Sequence, residues 1–379
     1  MSVHTHEITD ATKRSSEKPV IFVLYHHPYV YGDGGVLWKT RLWLTEHAEA
    51  LGIELHLLSL KEWQEKPEDA SEVLSILKKA RAIWWFGALM YYPKMQNVWE
   101  RLHSQLSALE CKPLIFERPD HIEEAFSLQL SYPLIEALGI RQAKTQFFPL
   151  SFCPKQQVDY VLESELQALF ESLELVEGER VFFRSFHGTQ KLSAYLQSAR
   201  SKDELVEGCV EQIQAMEKEH RITGFAVREW LPVGYHFDDL RGYKLKLEFR
   251  IFVLFGEPVM WVWNPCLLEE VKDDLSRGHI GPQLSPEQVH EMSSIARKMG
   301  STFRSQFFVV DFAILENGEL AVIETNPGAF AGLNHPAAYV GVYAQLLRVL
   351  AGLEPCRIEE LRERLSPEEW GRGIVFDWL

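Results

Sequence analysis

The sequence is poor in cysteine, and what it has is scattered: Cys111, Cys153, Cys209, Cys266 and Cys356 are odd in number and form no CxxC pair. Such spacing builds neither a disulfide framework nor a zinc site, and reads as reduced thiols in a cytoplasmic protein. No apolar run approaches the ~20 residues that span a bilayer. The stretch AIWWFGALMYY is too short and reads as a buried strand with its exit loop. The first 18 residues, MSVHTHEITDATKRSSEK, lack the apolar core of a secretory signal and read as a disordered tail. His4 and His6 therefore have no fixed geometry for a metal. A basic excess is missing too: 39 Lys and Arg face 54 Asp and Glu, a formal net charge of −15. That balance argues against nucleic acid or an anionic membrane as partner. Internal repeats and low-complexity runs are also lacking.

What is present is an ordinary globular composition, 46% hydrophobic and 25% charged over 379 residues, enough for two or three domains. From Pro19 to about Thr145, candidate strands VIFVLY, IELHLL, AIWWF and PLIFE alternate with candidate helices, the pattern of a parallel sheet covered by helices. Ligands of such sheets bind beyond the strand C-termini, which makes HHPYVYGDGG (26–35) a candidate site edge, with His27 and Tyr31 as substrate contacts. It lacks GxGxxG, so no dinucleotide fingerprint is present. After Pro149 the texture changes to hairpin-connected strands and amphipathic helices, an α+β unit. Leu205, Cys209, Ile213 and Met216 form one apolar helix stripe. A turn is expected at Gly256-Glu257, helices over 285–300 and 335–351, and a tail over 356–379. The expected boundaries are 1–18, 19–145, 146–355 and 356–379.

Near the C-terminus, FFVVDFAILENGELAVIETNPGAF (307–330) reads as a β-hairpin whose Asn317-Gly318 supplies the two positive φ angles of a type I′ turn. Glu316 then pairs with Glu319, which sets Asp311 opposite Glu324, with Asn326 two residues on along the same face. Phe307, Val309, Ala313, Leu320 and Val322 flank these acids in this register, while Phe308, Val310, Phe312, Ile314 and Ile323 form an apolar opposite face. Two facing carboxylates repel unless one is protonated or a cation lies between them. Two carboxylates and an amide oxygen suit Mg²⁺, which keeps its other positions for water and phosphate. On this reading Glu324→Ala abolishes metal-dependent binding, and stability without metal holds or rises.

Other cations sit oddly for a surface role. Arg228 and Arg250 lie inside apolar strands, where each needs an anion: an acid such as Glu229 or Glu248, or a phosphate. Lys244, Lys246, Glu248 and Arg250 alternate onto one face, either a solvated stripe or the floor of an anion cleft. Trp261 and Trp263 share a strand face and read as packing residues.

The order of motifs VFFRSFHGTQK, FAVREWLPV, EFRIFVLFGEPV, VVDF and VIETNP resembles that of the ATP-grasp superfamily, and within it the clade defined by two arginines and a lysine. That clade includes the eukaryotic cell-division-cycle protein that helps assemble translation initiation factor two. The resemblance implies an α/β pre-ATP-grasp domain with a parallel sheet, followed by an α+β ATP-grasp fold of two subdomains that clamp ATP. It implies Mg²⁺ on Asp311, Glu324 and Asn326, catalysis by Arg250, and ATP binding by Arg184, Lys191, Arg228, Glu229, Trp230, Leu231 and Lys246. Arg184 stands where the family usually has lysine, with Lys191 seven residues on. The implied activity is ligation of a carboxylate to an amine or thiol, with small-molecule or peptide substrates, through an acyl phosphate. The implied alternative is an ATP-binding assembly factor that closes on a protein partner and forms no bond.

Overall fold

A computed structural model describes residues 18–25, 44–59, 75, 77–86, 93–107, 109, 112–154, 163–171, 173, 179–186, 197–215, 221–238, 243–263, 284–328, 342–354 and 376–378. The N-terminal alternation folds as its periodicity dictates. Strands β1 (Val20–Tyr25), β2 (Glu54–Ser59), β3 (Ala82–Phe86) and β4 (Leu114–Phe116) form a parallel sheet in the order β2-β1-β3-β4. Residues 44–50 are helical, and helix α1 (Pro93–Ser107) crosses from β3 to β4. Val98, Leu102 and Leu106 of α1 pack on Phe22, Leu24, Ile83 and Trp85, one face of the sheet.

Two further helices follow, α2 (Pro119–Phe126) and α3 (Leu128–Ala137). A second sheet, antiparallel and ordered β5-β8-β6-β7, contains β5 (Thr145–Pro154), β6 (Val181–Ser185), β7 (Gln197–Ala199) and β8 (Arg221–Glu229). Helices α4 (Glu163–Phe170) and α5 (Lys202–Ala215) cover one face, where Leu205, Cys209 and Ile213 of the expected stripe meet Leu166, Phe183 and Phe225. Met216 lies outside the described residues. A short hairpin, β9 (Tyr235–Asp238) and β10 (Tyr243–Lys246), leads to the third sheet.

That sheet runs β14-β13-β11-β12-β15, all antiparallel: β11 (Glu248–Leu254), β12 (Glu257–Trp263), β13 (Phe307–Ile314), β14 (Leu320–Pro327) and β15 (Phe376–Trp378). The β11–β12 turn is made by Phe255 (φ 53°) and Gly256 (φ 84°), one residue earlier than expected. Both central residues have positive φ, as a type I′ turn demands. Helix α6 (Pro286–Gly300) opens with a capping box on Ser285 and Gln288 and packs Met292, Ala296 and Met299 on Phe249, Ile251, Phe308 and Phe312. Of the expected 335–351 helix, the described part is α7 (Ala344–Ala351). Its Leu346, Leu347 and Leu350 join Phe252, Met260 and Val309 to the other face of the N-terminal sheet, Ile21, Val23 and Trp84, in one core. Among the described residues no helix is long and apolar enough to cross a membrane.

Acids from the N-terminal half grip the leader of β13. After β4, the Glu117 carboxylate accepts from Ser305 Oγ (3.0 Å), from the Phe307 amide (2.6 Å) and from the Gln306 amide. On α2, Glu124 accepts from the Arg304 amide and Nε (2.6 Å each), and Asp120 accepts from Arg304 Nη1 at 3.2 Å. Burial pushes the Glu117 carboxyl up to about 8, against the pull of its donors. Between the ordinary value of 4.5 and about 8, the folded protein holds a proton that the unfolded chain has released. Stability therefore falls as pH rises through that window, by about 1.4 kcal/mol per pH unit at the steepest. Thermal midpoints measured from pH 5 to 8 should show this slope, and Glu117→Gln, which keeps an acceptor for the two amides, should flatten it. Parallel slopes in the two proteins would assign the pH dependence to other groups.

Candidate functional site

The hairpin places Asp311 opposite Glu324 and Val309 opposite Asn326, the expected juxtaposition, by an unexpected route. Its turn has three residues, not two: the Leu315 amide donates to the Glu319 carbonyl and the Gly318 amide to the Leu315 carbonyl, each at 2.8 Å. Gly318 has a positive φ (83°) and Asn317 does not. Instead the Asn317 side-chain oxygen accepts from the Glu319 amide at 3.0 Å, an Asx turn. Residues 314, 313 and 312 consequently pair with 320, 321 and 322, one short of the expected register. A bulge at Ile323 makes good the difference before Glu324 is reached.

The bulge also swaps faces. Leu320 and Val322 join Phe308, Val310, Phe312 and Ile314 in the core, whereas Ile323 packs beside Ala313 and Ala321. The two-residue turn expected from sequence puts these three β14 residues on the opposite faces, because an extra residue reverses the alternation.

The facing carboxylates are neutralised by arginine. Arg250, paired with Asp311 across β11 and β13, donates to it through Nε (2.7 Å) and Nη2 (2.8 Å). Its acid is thus neither Glu229 nor Glu248. Arg184, 3% exposed on β6, donates through Nη1 to Glu324 Oε2. Asn326 Nδ2 donates to Glu324 Oε1 at 2.9 Å and lies 3.4 Å from Asp311 Oδ2. Burial raises the Asp311 carboxyl against the opposing charge of Arg250. Burial works the same way on Glu324, but Arg184 and the Asn326 amide outweigh it and hold that carboxyl below the usual range.

Arg228, on β8, has a hydroxyl and a carbonyl as partners. Nε donates to Thr145 Oγ1 (3.1 Å) and Nη1 to the Ile323 carbonyl (2.8 Å). Burial, with Arg184 nearby, pushes its pKa down to about 10. Glu229 accepts from Arg141 Nη2 (2.7 Å) and Nη1 (3.1 Å) and from the Lys144 amide (3.0 Å). The bonds from Arg141 hold its carboxyl below the ordinary value. Trp230 is 42% exposed, with the Arg180 guanidinium 4.6 Å from its ring centroid. Leu231 packs beside Ala313 and Leu315. Lys246 Nζ lies 3.5 Å from Glu248 Oε1, whose carboxyl is raised by burial in spite of that lysine. Trp261 and Trp263 pack in the core as expected.

Arg184, Arg228, Arg250, Asp311, Glu324 and Asn326 are thus brought together, with Glu229, Trp230 and Leu231 at the end of β8. Lys191, His27, Tyr31 and the loop 329–336 lie outside the described residues. Thr145, Arg141 and the bulge at Ile323 were not singled out from sequence. Asp311, Glu324 and Asn326 converge on one sheet face and, with the Asn326 amide turned about, offer a divalent cation three hard oxygen donors. Among the described residues no group of three His, Cys, Asp or Glu side chains forms a metal site. Two carboxylates and an amide are the donor set that fits.

The pairing reverses one expectation. Removing Glu324 alone relieves no repulsion; it strands the buried Arg184 cation. Glu324→Ala and Asp311→Ala should each destabilise the ligand-free protein by about 3 kcal/mol, the cost of breaking a buried pair. Replacing both partners, as in Arg250→Met with Asp311→Leu, should recover most of the loss in denaturant titrations. A double variant no more stable than Asp311→Ala would show that the pair is not the source.

A family model for the ATP-grasp domain, the third family of its clade, matches residues 159–350. No curated protein matches the chain. Among solved structures, N5-carboxyaminoimidazole synthase from Aspergillus clavatus, in complex with ADP, aligns with a TM-score of 0.55 at 14% identity, covering 91% of this chain and 79% of that one. D-cycloserine synthetase DcsG aligns at 0.52 and 11% identity, over 87% of this chain and 99% of its own. D-alanine–D-alanine ligase from Bacillus anthracis, complexed with ATP, aligns at 0.51 and 11% identity, over 91% and 96%. At such identities the likeness is one of fold.

Proposed function

The chain belongs to the ATP-grasp family, and from that premise we propose that it is a magnesium-dependent ligase joining a carboxylate to an amine or thiol at the expense of ATP. One observation carries the reading. A strand face bearing Asp311, Glu324 and Asn326 is met by three arginines from two different sheets, Arg184, Arg228 and Arg250. Such an array matches a polyphosphate with its metal better than a structural role, which one ion pair would fill.

Magnesium held by Asp311, Glu324 and Asn326 would supply neutralisation of phosphate oxygens. Arg184 and Arg250, released from their carboxylates, would then turn to the phosphates, so the site exchanges internal partners for ligand. Lys191, Arg228 and Lys246 add cations along the chain of phosphates. Glu229, Trp230 and Leu231 would present their backbone to adenine, since the Glu229 carboxylate is engaged by Arg141. In the reaction, a substrate carboxylate oxygen attacks the γ-phosphorus as the bond to ADP breaks, giving an acyl phosphate. An amine nitrogen or thiol sulfur then attacks the acyl carbon, inorganic phosphate leaves, and the nucleophile's proton passes to solvent. Arg250, whose fork is aimed along β13, would meet the charge on the transferring phosphoryl group.

The acceptor falls to the N-terminal sheet. Its order β2-β1-β3-β4 puts the topological switch between β1 and β3, at the ends marked by Tyr25 and Phe86. The segment 26–35, with His27 and Tyr31, departs from the first of these ends.

Incubation with ATP, Mg²⁺ and pools of amino acids and metabolites should yield ADP, phosphate and a new amide or thioester by mass spectrometry. AMP with pyrophosphate would replace the acyl-phosphate route by adenylation. ATP binding without any product would favour the non-ligase assembly factor. Arg250→Lys keeps charge but loses the bidentate fork, so kcat should fall roughly a hundredfold with the ATP KM within about threefold. Equal losses in both would confine Arg250 to ground-state binding. His27→Ala with Tyr31→Phe should weaken use of the acceptor at an unchanged ATP KM, and unaltered acceptor kinetics would remove that segment from the site.

A further inference from the structure

Arg228 stands mid-sheet on β8, directly opposite Thr145 on β5 and Phe182 on β6. Arg184 pairs with Ala226 two residues away, so both guanidinium groups share one face. Arg228 is 3% exposed, and while Nε and Nη1 have protein acceptors, its buried Nη2 has none among the described residues. An unmet donor on a buried cation is costly, and it points toward a ligand that supplies the acceptor.

The two protein acceptors are unusual. Thr145 Oγ1 donates its one proton to the Ala143 carbonyl at 2.8 Å, which leaves only lone pairs for Arg228. Ile323 is the residue that the bulge adds to β14, and an added residue drops out of the strand ladder. Its carbonyl is thereby available to a side chain on the other sheet. Neither residue is one that a nucleotide need touch.

We propose that Thr145 and Ile323 are positioning residues: the hydroxyl of one and the bulged carbonyl of the other fix the plane of the Arg228 guanidinium, presenting Nη2 to an anionic oxygen of the bound nucleotide. The inference rests on the reading of Arg228 as a nucleotide-binding residue. It adds that the hairpin irregularity is part of the binding machinery, and that β5 contributes to the site from behind.

The test is equilibrium binding of Mg–ATP to the full chain by calorimetry, without turnover. Thr145→Val should weaken binding about fivefold, the value of one hydrogen bond to a charged group, and Thr145→Ser should restore it to within about twofold. The effect of Thr145→Val should vanish in an Arg228→Met background, since a positioning residue has nothing left to position. Deleting Ile323 offers an independent variant. With the bulge gone, pairing of 312 with 322 runs on and still sets the Glu324 carboxylate opposite Asp311, while the carbonyl is lost. That deletion should weaken binding about as much as Thr145→Val. If Arg228→Met binds as well as the parent, the nucleotide reading of Arg228 fails and the proposal with it. If Arg228→Met weakens binding but Thr145→Val and the deletion do not, the reading stands and the positioning role is overturned. An equal loss from Thr145→Val with and without Arg228 overturns it too.

Discussion

A carboxylate taken out of water must be met by a cation, and the cleft is organised around that requirement. Asp311 is 4% exposed and lies across from a second carboxylate, so the surrounding sheets must lend it charge. Arg250 comes from the neighbouring strand, and Arg184 reaches Glu324 from a different sheet altogether. The requirement is met by three contacts in a row along β14: Val322 donates to the Arg141 carbonyl, the Ile323 carbonyl accepts from Arg228, and Glu324 takes Arg184. Three consecutive residues thus carry the connection between the two sheets. Buried pairs of this kind contribute little net stability yet are expensive to break by halves. An interface built from them is firm while complete and ready to exchange partners all at once.

The position of β13 is secured from its other end. Glu117 and Glu124 hold residues 304–307 through backbone amides as well as side chains, so the grip does not depend on one rotamer. Beyond the leader, Phe307 and Val309 enter the core shared with Ile21, Val23 and Trp84. Side chains that must meet a ligand within fractions of an ångström need such a rigid base. Here the base is supplied by the N-terminal half of the chain.

Much of this was legible in the sequence, and what was not has identifiable causes. The parallel sheet followed from the alternation of strands and helices, and the facing acids from a hairpin centred on Asn317-Gly318. The register was reached through two one-residue departures that cancel. Asn317 can either adopt positive φ or cap a turn with its side chain, and nothing local distinguishes these. Ile323 is an ordinary strand residue with no mark of a bulge. The partners of Arg184 and Arg250 lie 140 and 61 residues away, beyond the reach of periodicity. Helix α2 was overlooked although its start was visible: a proline at the first position and Asp120 in the first turn.

The pairing of β15 with β12 has a consequence for the order in which the molecule is made. Met260, Trp261 and Val262 form an apolar edge whose neighbours are Trp378, Asp377 and Phe376. Strands β11 to β14 can assemble as soon as residue 327 is available, but the outer side of β12 must wait for residues 376–378. During synthesis that edge is an open template, able to pair with the same strand of another nascent chain. The stretch between acts as a delay line, and the last strand as the stopper that ends it.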